Sequence, residues 1–454
     1  MNVLIFSHTS LLGGAELSLL QLVKELVHEY NTTCTVVLPN QGPLCKLLKT
    51  AGASIIFAPI HWWCTLESLQ NPDEVTRQYC ESFDWLNEHL EDLENINPDV
   101  VLTNTIVIPW GAFAALFLKR PHAWMINEFG VLDHGLEFFL PFVDVLEFIE
   151  KFSDKVITRS NAVKNELFHH LADNKVQTIY RDIEIPDRLS EPAIGDNIFT
   201  LPNALRVIIL GTISKAKGQE DALRSVKELV KNRNRCVELV IVGKDQQNYQ
   251  KYLQRIIDES DLNEYIHILP FRKNVFPIIE QADLILICSR MEAFSRVIME
   301  GMLMEKAIIA TDTGGTPELI THGETGLLYP PGNYLALADQ IELLVENPLK
   351  MRQLAQRGNQ FAKNNFTREK FSGAFIKIIN NLQNKEVDNQ NHNLRYFLFH
   401  YQSLLAKSNL EIEKLNKALE ESEKEVLDYA LSNSWQFTRL IRKIMKLFRK
   451  SKNA

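Results

Sequence analysis

The sequence lacks several features that would each fix a class. It has no C-x-x-C pair and no His/Cys spacing suited to zinc, although six cysteines are present: Cys34, Cys45, Cys64, Cys80, Cys236 and Cys288. That pattern points to a reducing, cytoplasmic compartment. Cys288, inside the apolar run ADLILIC, reads as a buried small hydrophobe rather than a reactive thiol. Basic charge is not in surplus: 49 Lys and Arg stand against 57 Asp and Glu, a net charge of -8. A protein whose main task is neutralising nucleic-acid phosphates needs the opposite balance. No segment offers about twenty uninterrupted apolar residues. The start, MNVLIFSHTSLLGGAELSLLQLV, is apolar but has no cationic lead and is broken by His8, Gly13, Gly14 and Glu16, so it is expected to be neither signal peptide nor membrane span. Neither half carries a strand-linked G-x-G-x-x-G, which argues against a nicotinamide dehydrogenase. Of the 454 residues 45% are hydrophobic, enough for two globular cores and a tail.

The order of elements is regular. Val3 to Ser7 reads as a short buried strand, Leu11 to Gly14 as a turn and Ala15 to Tyr30 as a helix. The theme repeats through the strands Thr33 to Leu38, SIIFAPI, DVVLTNT, HAWMINE and KVITRS, with a long helical stretch from Pro72 to Asn95. Strands alternating with helices imply a parallel sheet covered on both faces. Residues 184–205 hold three prolines and little periodicity, and read as a linker between a first domain, 1–183, and a second, 206–365. The alternation restarts with RVIILGTI, the helix GQEDALRSVKELVKN, CVELVIVGK, YIHILPF, DLILICS, AIIATD and the helix TPELITH. The fold class is therefore α/β, with two doubly wound Rossmann-like domains facing a cleft and the ligand at the strand C-termini. A helix over 366–384 is expected to pack back toward the first domain.

From about Asn384 the character changes. Residues 385–432 are polar and then heptad-like, with apolar positions at Leu405, Ile412, Leu415, Leu419 and Val426 that suggest a helix able to pair in a homodimer. Residues 433–454 contain no acid and interleave Trp435, Phe437, Leu440, Ile441, Ile444, Met445, Leu447 and Phe448 with six cations from Arg439 to Lys450. This is the makeup of an interfacial helix on anionic lipid, which predicts peripheral placement on the inner face of the cell membrane.

The most specific signal is SRMEAFSRVIMEGMLMEKAIIATDTGGTPELITHGETGLLYPPGN. With Glu292 and Glu300 separated by seven residues, the Gly314-Gly315 turn, Pro317-Glu318 and Gly323-Glu-Thr-Gly326-Leu-Leu, it resembles the donor-binding segment of retaining glycosyltransferase family 4, also called group 1. The resemblance runs over roughly residues 1–380, is strongest from 206 to 332, and implies a GT-B fold and a nucleotide-sugar donor. The residue types suit that chemistry. Ala293, Phe294, Ser295 and Arg296 lie where a loop becomes a helix, so unpaired amides and the positive helix end can hold a donor diphosphate. Glu300 can accept two hydrogen bonds from a ribose diol, and Glu292 would face the sugar. In GTISKAKGQEDAL, Lys217 matches the family's K-G lysine, expected on the diphosphate as the leaving charge develops. The arginine that relatives often place after the first glycine is Thr212 here, and Lys215 is the residue available to compensate.

In the first domain, SLLGGAE resembles the family's glycine turn. Gly13 and Gly14 are expected to supply positive φ and close approach to the donor, with Glu16 starting the helix. Where relatives carry a histidine near the acceptor hydroxyl this chain has Asn127, which cannot act as a base. Glu128 is then the candidate base, with His8 as an outside candidate. Asn104 could bond sugar hydroxyls beside Asn127. By resemblance the reaction retains anomeric configuration by front-face substitution, the departing phosphate helping to deprotonate a saccharide or lipid-linked acceptor. No D-x-D is presented in a donor loop, so no metal and no cofactor beyond the nucleotide sugar are expected. The competing readings are a non-catalytic scaffold of the same fold, supported by Thr212 and Asn127, and a sugar-nucleotide epimerase.

Overall fold

Strands buried on both faces need apolar residues at every position, because successive side chains point to opposite sides. The runs VIIL, LVIV, LILI and AIIA meet that need, and in the computed structural model of the protein they lie in neighbouring strands of one sheet. The structure describes residues 1–65, 72–182, 197–383 and 385, with Lys417, Leu419, Glu421, Ser422 and Lys424 of the tail. The chain divides into two compact units, Met1–Asn389 and Gln390–Ala454. Two doubly wound domains and the cleft they face lie in the first unit.

The first sheet has seven parallel strands in the spatial order Ser54–Phe57, Thr33–Leu38, Asn2–Ser7, Val100–Asn104, His122–Ile126, Lys155–Thr158 and Val176–Thr178. The second has six: Ile266–Pro270, Val237–Gly243, Leu205–Leu210, Leu284–Ile287, Ala307–Thr311 and Leu327–Tyr329. Strand order reverses between Asn2–Ser7 and Val100–Asn104 in one sheet, and between Leu205–Leu210 and Leu284–Ile287 in the other. At such a reversal the two following connections leave to opposite faces, which opens a crevice at the strand C-termini. The glycine turn at Gly13-Gly14, the Lys217 loop and the Glu292 loop all leave from these two points.

Alternate residues of the second sheet feed two cores. Val207, Ile209, Leu239, Ile241, Leu284 and Leu286 face one side, and Ile208, Leu210, Val240, Val242, Ile285 and Ile287 the other. The helix Arg368–Gln383 carries the chain back onto the first sheet, where Phe371, Phe375, Ile378, Ile379 and Leu382 join Val3, Ile5, Leu102 and Met125.

Several elements differ from the sequence expectation. Residues 197–205, expected within the linker, are built into the second domain: Phe199 is buried in its core and Glu238 accepts hydrogen bonds from the Thr200 and Leu201 amides at 2.8 and 2.9 Å. The stretch from Pro72 to Asn95 is two helices, Pro72–Glu88 and Leu90–Asn95, with His89 off helical geometry between them. The helix expected over TPELITH is only Thr316–Leu319, because Ile320 turns extended to bury its side chain. A short antiparallel pair, Cys64–Thr65 with Glu137–Phe138, is too brief to show periodicity. The expected dimer helix and basic lipid-binding helix lie outside the described residues, apart from the few tail residues named above, which are helical and exposed. Among the described residues no helix is long and apolar enough to cross a membrane.

Candidate functional site

The Lys217 loop is shaped by one glycine. Gly218 adopts φ +62°, and a Cβ there would overlap the carbonyl oxygen of Cys288 at the end of the neighbouring strand. Only glycine tolerates both conditions, so the loop can press against that strand end. The Arg290 amide donates to the Ala216 carbonyl at 2.8 Å and ties the two loops. Lys217 then reaches Glu292, Nζ to Oε2 2.8 Å, and the Ser289 hydroxyl donates to the same oxygen at 2.9 Å. Burial pushes the Glu292 carboxyl up, but the charge and hydrogen bond of Lys217, with Ser289, outweigh it and hold the group below the ordinary carboxylate range. Burial likewise depresses Lys217, and Glu292 more than reverses it, leaving the ammonium raised.

The Gly314-Gly315 turn supports the other side of Glu292. The Gly315 amide donates to the Glu292 carbonyl at 2.8 Å. Gly314 has φ +54°, and side chains at Gly314 or Gly315 would overlap the carbonyls of Glu292 and Ala293. The backbone held this way runs through Ala293, Phe294 and Ser295 into the helix Arg296–Leu303, whose first residues have no side-chain cap. Its amides and positive end therefore remain available to an anion. Glu300 lies one turn along, bonded to Arg296 at 3.2 Å, 7% exposed, and sits beneath that arginine rather than on the cleft wall. Burial raises its pKa against the pull of Arg296 and Arg181.

The opposing wall comes from the first domain. Gly14, Ala15, Asn127, Glu128, Asp133, His134 and Arg181 face Thr212, Lys217, Glu292 and Ala293 to Val297 across about 1080 Å³ of space continuous with solvent. Glu128 is buried and accepts a hydrogen bond from the Ile106 amide at 2.7 Å. Burial, aided by the neighbouring Asp133 and Glu16 charges, pushes its carboxyl up to about 8. His8, half-buried beside Trp62 and 3.3 Å from Glu16, is lowered to about 4 by desolvation and so is neutral near physiological pH.

Some expectations need correction. Gly13 and Gly14 have no positive φ; Gly13 is extended at φ -128°, and what the pair provides is close approach. A Cβ on Gly13 would sit 2.6 Å from Glu16 Oε2, and Gly14 packs beside Arg296 and Arg181. Lys215 is exposed and outside the cleft lining, because the tight turn Lys215–Lys217 that aims Lys217 inward points Lys215 away. Asn104 is fully buried, donating to Ser7 Oγ at 3.3 Å and accepting from Asn127 at 2.9 Å, which removes it from any ligand. Asn127 lines the cleft, although its carbonyl oxygen accepts from Arg159 at 2.7 Å.

Residues the sequence did not point to complete the site. Arg181, Asp133 and His134 lie in stretches without periodicity, and nothing local marks them. Glu318 does sit in a recognised motif, but its contact is unforeseen. It accepts hydrogen bonds from the Asn161 and Ala162 amides at 2.8 and 2.7 Å and from the Tyr180 hydroxyl at 2.8 Å, capping a first-domain helix from the second domain. Phe294 stacks on Tyr180 beside it, ring centroids 5.5 Å apart. Among the described residues no group of three or more His, Cys, Asp or Glu is placed to hold a metal ion.

Residues 199–361 match the family model of glycosyl transferases group 1. N-acetyl-alpha-D-glucosaminyl L-malate synthase of Bacillus anthracis is 26% identical over 231 residues, covering 50% of this chain and 59% of that protein. Alpha-D-kanosaminyltransferase of Streptomyces kanamyceticus is 30% identical over 152 residues, 33% of this chain and 39% of its own. The chain thus spans less than two thirds of the length of these relatives. In three dimensions it is similar to Anabaena Alr3699/HepE, solved in complex with UDP, with a TM-score of 0.67 at 21% identity over 84% of this chain and 100% of that one. At that identity the likeness establishes the fold, which is GT-B.

Proposed function

We propose that the protein is a retaining, family 4 glycosyltransferase moving a hexosyl group from a nucleotide-diphosphate sugar to a saccharide or lipid-linked acceptor. The product would be a surface polysaccharide or related glycoconjugate. One observation carries this reading: Lys217, Glu292 and an uncapped helix start share one wall of a cleft whose other wall presents Gly14 and Glu128. The relatives bear glycosyltransferase and sugar-conjugate synthase names, and the Anabaena protein was also solved with UDP-glucose.

In this reading the diphosphate rests on the amides at Ala293 to Arg296 with Lys217 beside it. The bond from the anomeric carbon to the phosphate oxygen breaks as the acceptor oxygen approaches the same face, so configuration is retained. The acceptor proton passes to the departing phosphate oxygen or to Glu128, whose raised pKa suits a base working near neutrality. Lys217 and the helix end take the developing negative charge, preorganised in a partly dry site. Divalent metal is then dispensable, and no further cofactor takes part. Glu300 would exchange its bond to Arg296 for the ribose diol. Residues 433–454 would hold the enzyme at an anionic membrane surface on the cytoplasmic side, and the heptad-like segment before them would pair two copies.

The test is titration with UDP-, GDP-, dTDP- and CMP-sugars in EDTA, read as thermal shift and slow donor hydrolysis. One nucleotide sugar should stabilise and be hydrolysed, with both effects lost in Lys217→Ala and Glu300→Ala. No response to any of them would overturn the proposal in favour of a non-catalytic scaffold.

A further inference from the structure

Of the Lys and Arg side chains described on the cleft walls, Arg181 alone forms no ion pair. Among the described residues on its walls, Lys217 is neutralised by Glu292 and Arg296 by Glu300. Arg181 has neither kind of partner. It is 4% exposed, its Nη1 makes only a long contact of 3.3 Å to the Gly14 carbonyl, and its buried Nε has no hydrogen-bond acceptor. Arg159 nearby is different: it is tied to Asn127 Oδ1 at 2.7 Å and lies over the Phe371 ring.

Carboxylates do lie close to Arg181, among them Glu16, whose Oε1 has no hydrogen-bond partner, but among the described residues none is hydrogen-bonded to the guanidinium. Glu292 is shared by Lys217 and Ser289, and Glu128 accepts from the Ile106 amide. The guanidinium is crowded instead by its own kind. A Cβ on Gly14 would lie 3.6 Å from the Arg296 side chain and 3.8 Å from that of Arg181, so both arginines reach the seam between the first domain's glycine turn and the second domain's helix start. Burial first, then the charges of Arg159 and Arg296, press Arg181 well below its usual range. A buried guanidinium without a partner costs stability and is retained where an anion will complete it. Thr212 lines the same cleft and supplies no charge.

We propose that Arg181 is a binding residue for the donor diphosphate, reaching it from the first domain across from Lys217 and the helix start of Arg296–Leu303. This rests on the nucleotide-sugar reading of the cleft. A planar guanidinium can bridge two phosphate oxygens in a way an ammonium cannot. An anion between Arg181 and Arg296 also relieves their repulsion. Because one cation comes from each domain, the diphosphate would draw the domains together, whereas a nucleoside without phosphates would not.

The test uses the full-length protein with Arg181→Met, Arg181→Lys and Lys217→Ala. Binding of UDP, GDP, inorganic pyrophosphate, uridine and guanosine is measured by calorimetry, alongside melting of the unliganded protein. Arg181→Met should weaken the bound diphosphates at least tenfold and leave nucleoside affinity unchanged, with Arg181→Lys intermediate. Its unliganded Tm should equal or exceed that of wild type, since a strained charge is removed; a structural arginine would give the reverse. Unchanged diphosphate affinity in Arg181→Met, with Lys217→Ala impaired, would overturn this proposal and leave the nucleotide-sugar reading standing. A lower Tm with diphosphate and nucleoside binding lost together would also overturn it. Absence of diphosphate binding to wild type would overturn both.

Discussion

Glu128 is a carboxyl taken out of water and placed beside other acids, with one backbone amide in compensation. Its proton is held until about pH 8 in the folded protein, whereas the unfolded chain releases it near the ordinary carboxylate value of 4.5. The native state therefore binds the extra proton between those values. Its contribution to stability is complete below the unfolded pKa and is lost as pH rises through the folded one. Each unit of that interval is worth about 1.4 kcal/mol, so the total is on the order of a few kcal/mol. Thermal melts should thus fall from about pH 5 to about pH 8 in wild type and be visibly flatter in Glu128→Gln, which can still accept the Ile106 amide. If Glu128 is the base, the same substitution abolishes a rise of kcat/KM toward about pH 8. A profile unchanged by the substitution would assign the proton to the departing phosphate. None of this was visible in HAWMINEFG, where Glu128 is one acid after a strand. Its burial comes from the helices and loops that fold over that strand end.

Elements were the most legible level, since buried parallel strands must be apolar throughout and the helices between them keep helical spacing. The glycines show where element-level reading succeeds and where it stops. Gly218→Ala should cost about 1–3 kcal/mol and displace Lys217, because both its φ of +62° and the nearby Cys288 carbonyl forbid a side chain. Gly373, in the helix Arg368–Gln383, has no atom within 4 Å of an added Cβ. Gly373→Ala should therefore stabilise the protein by about 0.5–1 kcal/mol, read as a higher Tm without loss of donor binding. Both are single glycines by a helix in the sequence; only the surroundings give the substitutions opposite signs. Gly13 and Gly14 make the same point, since a Gly-Gly turn suggested left-handed backbone and the structure uses the pair for closeness instead.

At the scale of the whole molecule, the domains are joined by the Glu318 cap, by Phe294 on Tyr180, and by the returning helix Arg368–Gln383. Glu318 satisfies two amides that the helix Asn161–Leu167 leaves unpaired at its start, beside the Ser160 cap. Glu318→Ala should cost about 1–2 kcal/mol, typical of a lost cap. Because the loss falls between domains, it should also separate the unfolding transitions of the two domains in calorimetry and raise the donor KM. Glu318→Gln, which accepts at one oxygen only, should lie between. A single transition unshifted in Glu318→Ala would show that the returning helix alone sets the coupling.

Alternating strands and helices, the two switch-point loops and the paired glutamates could be read along the chain, because each is dictated by local periodicity or by short spacing. The pairing of Lys217 with Glu292, the withdrawal of Asn104 and Lys215 from the ligand, the joining of residues 197–205 to the second domain and the burial of an unpaired Arg181 could not. Each depends on which groups from distant segments are brought within a few ångströms and which are shut away from water, and that is settled by how two sheets and a returning helix pack, not by any neighbour in sequence.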